Sequence, residues 1–174
     1  MSNASSNRGH CILSHGFESG PDATKVTALA AAAEALGWTC ERPDYTGFDA
    51  RRDTSGLGDV VARQAHLLAL AKAAAARGPL VLAGSSLGAY IAGRVSLEVP
   101  VLGLFLMAPP ITMGPLQELD ASPVSVSIIH GWDDELIPAQ HVVDWATPRR
   151  ARSSCCRTPA GGCWCTTPPP MHSC

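Results

Sequence analysis

Residues 79–97, PLVLAGSSLGAYIAGRVSL, carry an apolar strand pattern straight into a helical one, joined only by small residues around Gly84, Ser85 and Ser86. The PLVLA stretch is apolar at consecutive positions, which suits a central parallel strand buried on both faces. Where a strand turns into a helix without a loop, the backbone must reverse within one or two residues and the two elements must approach closely. Residues lacking bulk on either side of the turn permit that reversal. The junction points to an architecture in which helices pack on a parallel sheet.

The rest of the chain repeats this theme. HCILSHG reads as a first strand ending at Gly16. From Asp22 onward, Val26, Leu29, Ala30, Ala33 and Leu36 share one helical face, with Asp22 placed to cap the helix and Gly37 to stop it. WTCERPDY supplies a second strand. After the polar loop TGFDARRDTSGLG, a longer helix runs to Arg77 with Val60, Val61, Leu67, Leu68 and Ala71 facing inward, and Gly78 and Pro79 end it. VLGLFLMAPP is another two-sided apolar strand, closed by Pro109 and Pro110. VSVSIIHG alternates Val124, Val126 and Ile128 before Gly131, and Pro138 opens a helix through Trp145. The pattern predicts a three-layer α/β/α sandwich with a mainly parallel sheet.

A chain of 174 residues can bury one core and fits one domain. Its 13 Lys and Arg are scattered and offset by 15 Asp and Glu, which leaves no basic footprint for a polyanion. The N-terminus MSNASSNRGH shows no leader pattern, and no apolar run approaches the ~18 residues of a membrane span. The expectation is a soluble, cytoplasmic protein that meets neither nucleic acid nor membrane. Cys11 and Cys40 are isolated, so the body carries no disulfide framework.

Gly84, Ser86 and Gly88 make GSSLG a match to G-x-S-x-G, and the motif lies where it has mechanical meaning, between a strand and a helix. Ser86 is the candidate nucleophile, and Ser85, at the variable position, is a pocket-lining residue. An ordinary Gly/Ser turn is the alternative. HGF at His15 to Phe17, GSSLG and HGWDDELIP at His130 to Pro138 occur in the order and at the spacing found in the α/β-hydrolase superfamily. The chain resembles its small, capless esterase-like members over about residues 9–147.

That resemblance implies a serine nucleophile at Ser86, an acid after a later strand, a histidine after the last strand, and an oxyanion hole made by two backbone amides. The amides of Phe17 and Leu87 match the two donors, and a helix N-terminus beside the nucleophile suits an oxyanion. His15 and Gly16 line the same pocket, with His15 holding the loop; a catalytic base is the alternative role for His15. Asp134 matches the acid, with Asp133 as runner-up; a solvated acidic loop capping a helix is the other reading of DDELIP. No cofactor or metal is implied, and the substrate is a small ester or thioester. The short connection MAPPITMGPLQELDASP suggests a capless site, in which Met107, Ile111 and Met113 either line an acyl pocket or belong to the core.

The histidine base is the missing part. His10, His66 and His130 have simpler explanations at a strand edge, on the surface and in a loop, and His141 follows the acid on a helix. From Thr147 to the end there is no Leu, Ile, Val, Phe, Asp or Glu, so residues 148–174 read as an irregular Cys-, Pro- and Arg-rich tail. The last strand and helix of the family are expected to be absent, and His172 is the tail's histidine. Cys155, Cys156, Cys163 and Cys165 lack the paired spacing of a zinc module. Read from the third base of each codon, Gly162–Cys165 encodes Leu then Val at its last two triplets, and Cys165–Thr166 encodes His or Tyr. A frameshift near 147–153 would account for that tail, and the coding DNA tests it.

Overall fold

The computed structural model of the chain describes residues 8–51, 56–114, 116–149 and 151–154. Within them, β1 (His10–Ser14), β2 (Thr39–Glu41), β3 (Leu80–Ser85), β4 (Gly103–Met107), β5 (Ser125–Ile129) and β6 (Arg152–Ser154) form one sheet. Its order is β2-β1-β3-β4-β5-β6, and every pairing is parallel. The helices are α1 (Thr24–Ala35), α2 (Thr46–Asp49), α3 (Val60–Ala75), α4 (Leu87–Ser96) and α5 (Ala139–Ala146).

The two-sided apolar pattern of β3 is used on both faces. Leu80 and Leu82 pack into a core shared with α3, α4 and α5, whereas Ala83 joins a second core with Val26 and Ala30 of α1. The result is the three-layer sandwich. Each leucine of this kind contributes about 1.5–3 kcal/mol on burial. The chain leaves β1 to one side to form β2 and then crosses to β3 on the other side, so the order reverses between β1 and β3. Open parallel sheets present ligand sites beyond the carboxyl ends of the strands at such a point.

Four local expectations are corrected. Asp22 does not cap α1; Ala23 occupies the N-cap, and Asp22 instead pairs with Arg42 at 3.3 Å. Leu36 is 60% exposed because α1 ends before it and the chain turns at Gly37, whose φ is 85°. Val61 is 80% exposed, because the inward stripe of α3 is Val60, Arg63, Leu67, Ala71 and Ala74, at spacings of three and four residues. The tail, expected to offer no strand, supplies β6, with Ser127 opposite Arg152 and Ile129 opposite Ser154. An edge strand needs only backbone pairing on one side, so an apolar pattern is not required for it. The expected absence of the family's last helix concerns residues from 155 onward, which lie outside the described residues.

Two glycines set how closely α4 meets the sheet. A Cβ on Gly84 would run into the Gly88 carbonyl and come within 2.6 Å of the Ala89 nitrogen. A Cβ on Gly88 would run into the Ser14 carbonyl and come within 2.5 Å of the His15 oxygen. These neighbours are backbone and cannot swing aside. Gly88→Ala is therefore expected to cost about 3 kcal/mol or more, at the upper end of overpacking penalties. Denaturant unfolding checks this, and a loss below ~1 kcal/mol would contradict the close contact.

Candidate active site

Ser86 sits between the last residue of β3 and the first of α4, at φ 51° and ψ −122°. L-residues rarely occupy positive φ, and each such residue costs on the order of 1–3 kcal/mol unless its surroundings hold it. Here they do. The Ser86 N–H donates to the Met107 carbonyl at the end of β4 (2.9 Å), and its own carbonyl accepts from Ala89 (2.8 Å) and Tyr90 (3.1 Å) in the first turn of α4. With the backbone tied on both sides, the half-buried side chain makes no capping bond to α4.

Gly16 brings the loop after β1 against this turn. A Cβ there would lie 3.4 Å from the Ser85 oxygen and 3.5 Å from the Ser86 Cβ, so the next residue, Phe17, follows beside the serine. Neither the Phe17 nor the Leu87 amide donates to a described residue. Leu87 opens α4 and belongs to the first turn, where helix amides lack intrahelical acceptors. Ser85 is buried behind the turn.

The loop is held by His15, which is 1% exposed. Its Nε2 accepts from the Tyr45 amide (3.0 Å), which leaves the proton on Nδ1 to be donated to the Gly16 carbonyl (2.8 Å). In a trans peptide the carbonyl and the following N–H point in opposite directions. By holding the Gly16 oxygen, His15 turns the Phe17 N–H the other way. Burial lowers the His15 pKa below its ordinary 6.5, which keeps the ring neutral and suited to this arrangement.

Asp134 lies on the loop after β5, two strands from β3 at the same sheet edge. Its Oδ1 accepts from the Leu136 (3.0 Å) and Ile137 (2.9 Å) amides, so one carboxylate oxygen fixes the loop while the second has no described partner. His130 anchors the same loop from below: it is 2% exposed and its Nε2–H donates to the Ile137 carbonyl (2.8 Å). Asp133 is exposed.

A family model described as the alpha/beta hydrolase family matches residues 11–171. This chain belongs to the α/β-hydrolase family. A crystal structure from Xanthomonas campestris pv. campestris, of a protein ascribed to the α/β superfamily of hydrolases, is 66% identical, with a TM-score of 0.82 over 83% of this chain and 84% of that one. An alpha-beta serine hydrolase homologue from Coxiella burnetii shares the fold at 23% identity, TM-score 0.59, over 81% of this chain and 70% of that one. A lidless serine hydrolase from Xanthomonas campestris shares it at 23% identity, TM-score 0.57, over 79% and 66%. No curated protein matches the chain.

In this α/β hydrolase, none of the described histidines bonds to Ser86. His10 pairs with Thr39 and Glu41 at the opposite end of β1, His66 packs its ring on Tyr45 and Phe48, and His141 is exposed on α5. His15 and His130 are committed to their loops. His172 and the cysteines from Cys155 onward lie outside the described residues. The connection from Ala108 to Val124 forms no helix among its described residues and lies down on the core: Ile111 and Leu119 are buried, and the Trp145 indole donates to the Leu119 carbonyl (2.7 Å). Met107 and Ile111 are core residues, and Met113 packs against the core.

Sequence reasoning missed a buried polar cluster under the Phe17 loop. Arg63 of α3 is 1% exposed and pairs with Asp49 at 2.7 Å. It also donates to the His15 carbonyl and lies 4.3 Å from the centre of the Tyr45 ring. The Tyr45 hydroxyl meets Ser14 Oγ at 3.0 Å, and burial pushes it up to about 12. Removing one member of such a buried pair typically costs about 3–5 kcal/mol. The available signal was an arginine three residues after Val60 and four before Leu67, inside the apolar stripe rather than opposite it.

The lowered pKa of His15 has a definite sign. A group whose folded pKa lies below its unfolded value contributes stability above pH 6.5, and that stability is lost as pH falls through the folded value. Protonation would place an N–H at Nε2 against the Tyr45 N–H. Unfolding free energies measured between about pH 7.5 and 5 should therefore fall more steeply for the wild type than for His15→Gln. Parallel curves would show that His15 does not titrate in this way.

Proposed function

We propose that this chain is a serine hydrolase that cleaves a small ester or thioester by acyl transfer. The observation that carries the reading is the Ser86 turn: a hydroxyl held between β3 and α4, with neither the Phe17 nor the Leu87 amide bonded to an acceptor among the described residues. Ser86 Oγ attacks the carbonyl carbon, an Oγ–C bond forms, and the carbonyl oxygen takes up the electron pair beside the Phe17 and Leu87 amides. Donors already fixed in place stabilise that charge without reorganising. Collapse expels the alcohol or thiol, which takes a proton, and water then releases the acid by the same route. Asp134 orients and stabilises a histidine that carries the proton from the serine to the leaving group. No cofactor takes part. The match to a lidless serine hydrolase fits an open site for small substrates.

A second reading has its own observation: no described histidine reaches Ser86. In that reading the chain is a catalytically impaired relative that keeps the turn and the amides but lacks the base. An oxyanion hole and binding alone still leave roughly 10³–10⁴-fold catalysis over water.

A fluorophosphonate probe and a short-chain nitrophenyl ester separate these outcomes. Wild type is expected to be labelled and to turn over, and Ser86→Ala to lose both. Asp134→Asn is expected to lose about 10³–10⁴-fold in kcat through the wrong imidazole tautomer. His172→Ala decides the base: a comparable loss assigns it, whereas slow turnover insensitive to His172 supports the impaired relative. Labelling that survives Ser86→Ala would exclude Ser86 as the nucleophile.

A further inference from the structure

We infer that Arg63 is a positioning residue for the oxyanion loop, a role that rests on the acyl-transfer reading above. Three contacts meet at its guanidinium. Nη1 donates to Asp49 Oδ1 at 2.7 Å, Nη2 donates to the His15 carbonyl, and the planar group lies 4.3 Å from the Tyr45 ring centre. The side chain is 1% exposed, so these contacts form away from water.

What the contacts hold is specific. The Phe17 N–H is aimed by the Gly16–Phe17 peptide, whose oxygen is held by His15 Nδ1. The preceding peptide, His15–Gly16, is held through its oxygen by Arg63. That same His15 oxygen faces Gly88 in the first turn of α4, two residues from Ser86. Two successive peptide planes are thus fixed, one by an imidazole and one by a guanidinium. The imidazole is in turn placed by the Tyr45 amide, and the Tyr45 ring lies under the guanidinium. Arg63 therefore ties α3 to the loop that carries the Phe17 amide, at the oxygen that faces α4.

The geometry calls for an arginine. Its donors diverge in a rigid plane, so one side chain reaches the Asp49 carboxylate and the His15 carbonyl at once. A lysine presents a single ammonium and keeps the pairing with Asp49 at the expense of the carbonyl.

Two variants test this. Arg63→Lys retains the charge. Arg63→Met combined with Asp49→Leu removes both charges together, so that no unpaired ion is left buried and the fold is maintained. Thermal unfolding confirms that each variant is folded, and backbone order parameters are then measured by NMR. Wild-type Gly16, Phe17 and Glu18 are expected near the rigid value of ~0.85, and the double variant is expected below ~0.6 at Phe17 with Ala30 of α1 unchanged. The rate constant for phosphonylation of Ser86 should fall roughly tenfold to a hundredfold, with little change in the probe's reversible affinity, because the Phe17 donor acts on the transition state. Arg63→Lys should lie between the two. An unchanged Phe17 order parameter, or an unchanged rate constant in a chain that labels, overturns the assignment. If wild type does not label at all, the acyl-transfer reading fails, and the order parameter alone decides whether Arg63 orders the loop.

Discussion

The positive φ of Ser86 persists because the backbone around it has no alternative path. Its N–H is bound to the end of β4, its carbonyl starts α4, and Gly88 lets that helix press against the carbonyls that end β1. Strain of this kind is kept only where the surroundings over-determine it. The central strand makes the arrangement possible, since β3 lies between β1 and β4 and packs apolar side chains on both faces. The packing in the middle of the sheet thus supports the strained Ser86 turn at its carboxyl edge, where the Phe17 and Leu87 amides have no acceptor among the described residues.

The loop after β1 shows how a short motif draws on distant residues. HGF contributes a ring that binds its own chain, a glycine that lets the loop approach Ser86, and an amide with no acceptor among the described residues. These features depend on Tyr45, Asp49 and Arg63, which are remote from the motif in sequence. The network is buried and charged, an expensive way to build a foundation compared with apolar packing. Its benefit is directional: apolar contacts exclude water, whereas a guanidinium bound to a named carbonyl fixes a peptide plane.

The legible parts of the sequence were those in which one local rule decides the outcome. Apolar runs at Leu80 and Leu104 gave strands, Gly37 ended a helix, and GSSLG fell at the strand-to-helix join, because period, backbone torsion and close approach each act within a few residues. Arg63 was missed because an arginine on a helix is ordinarily solvated, so its place in the apolar stripe between Val60 and Leu67 carries weight only once its buried partners are seen. Val61 was expected inside because both residues of a Val-Val pair suit a core, and the helix phase that chose Val60 is set by packing. The edge strand β6 escaped because pairing through the backbone leaves little mark on side-chain composition. The three motifs of the candidate site were legible in the sequence, and they fall at the carboxyl ends of β1, β3 and β5; the buried polar cluster around Arg63 was not read from it.

In the proposed mechanism, Phe17 and Leu87 point their amides at charge developing on a group bound to Ser86. The most direct measurement is a crystal structure of the chain after phosphonylation of Ser86. The proposed mechanism requires the phosphonyl oxygen within about 2.7–3.1 Å of both amide nitrogens. A phosphonyl oxygen turned to solvent, with those two amides bonded elsewhere, would contradict it.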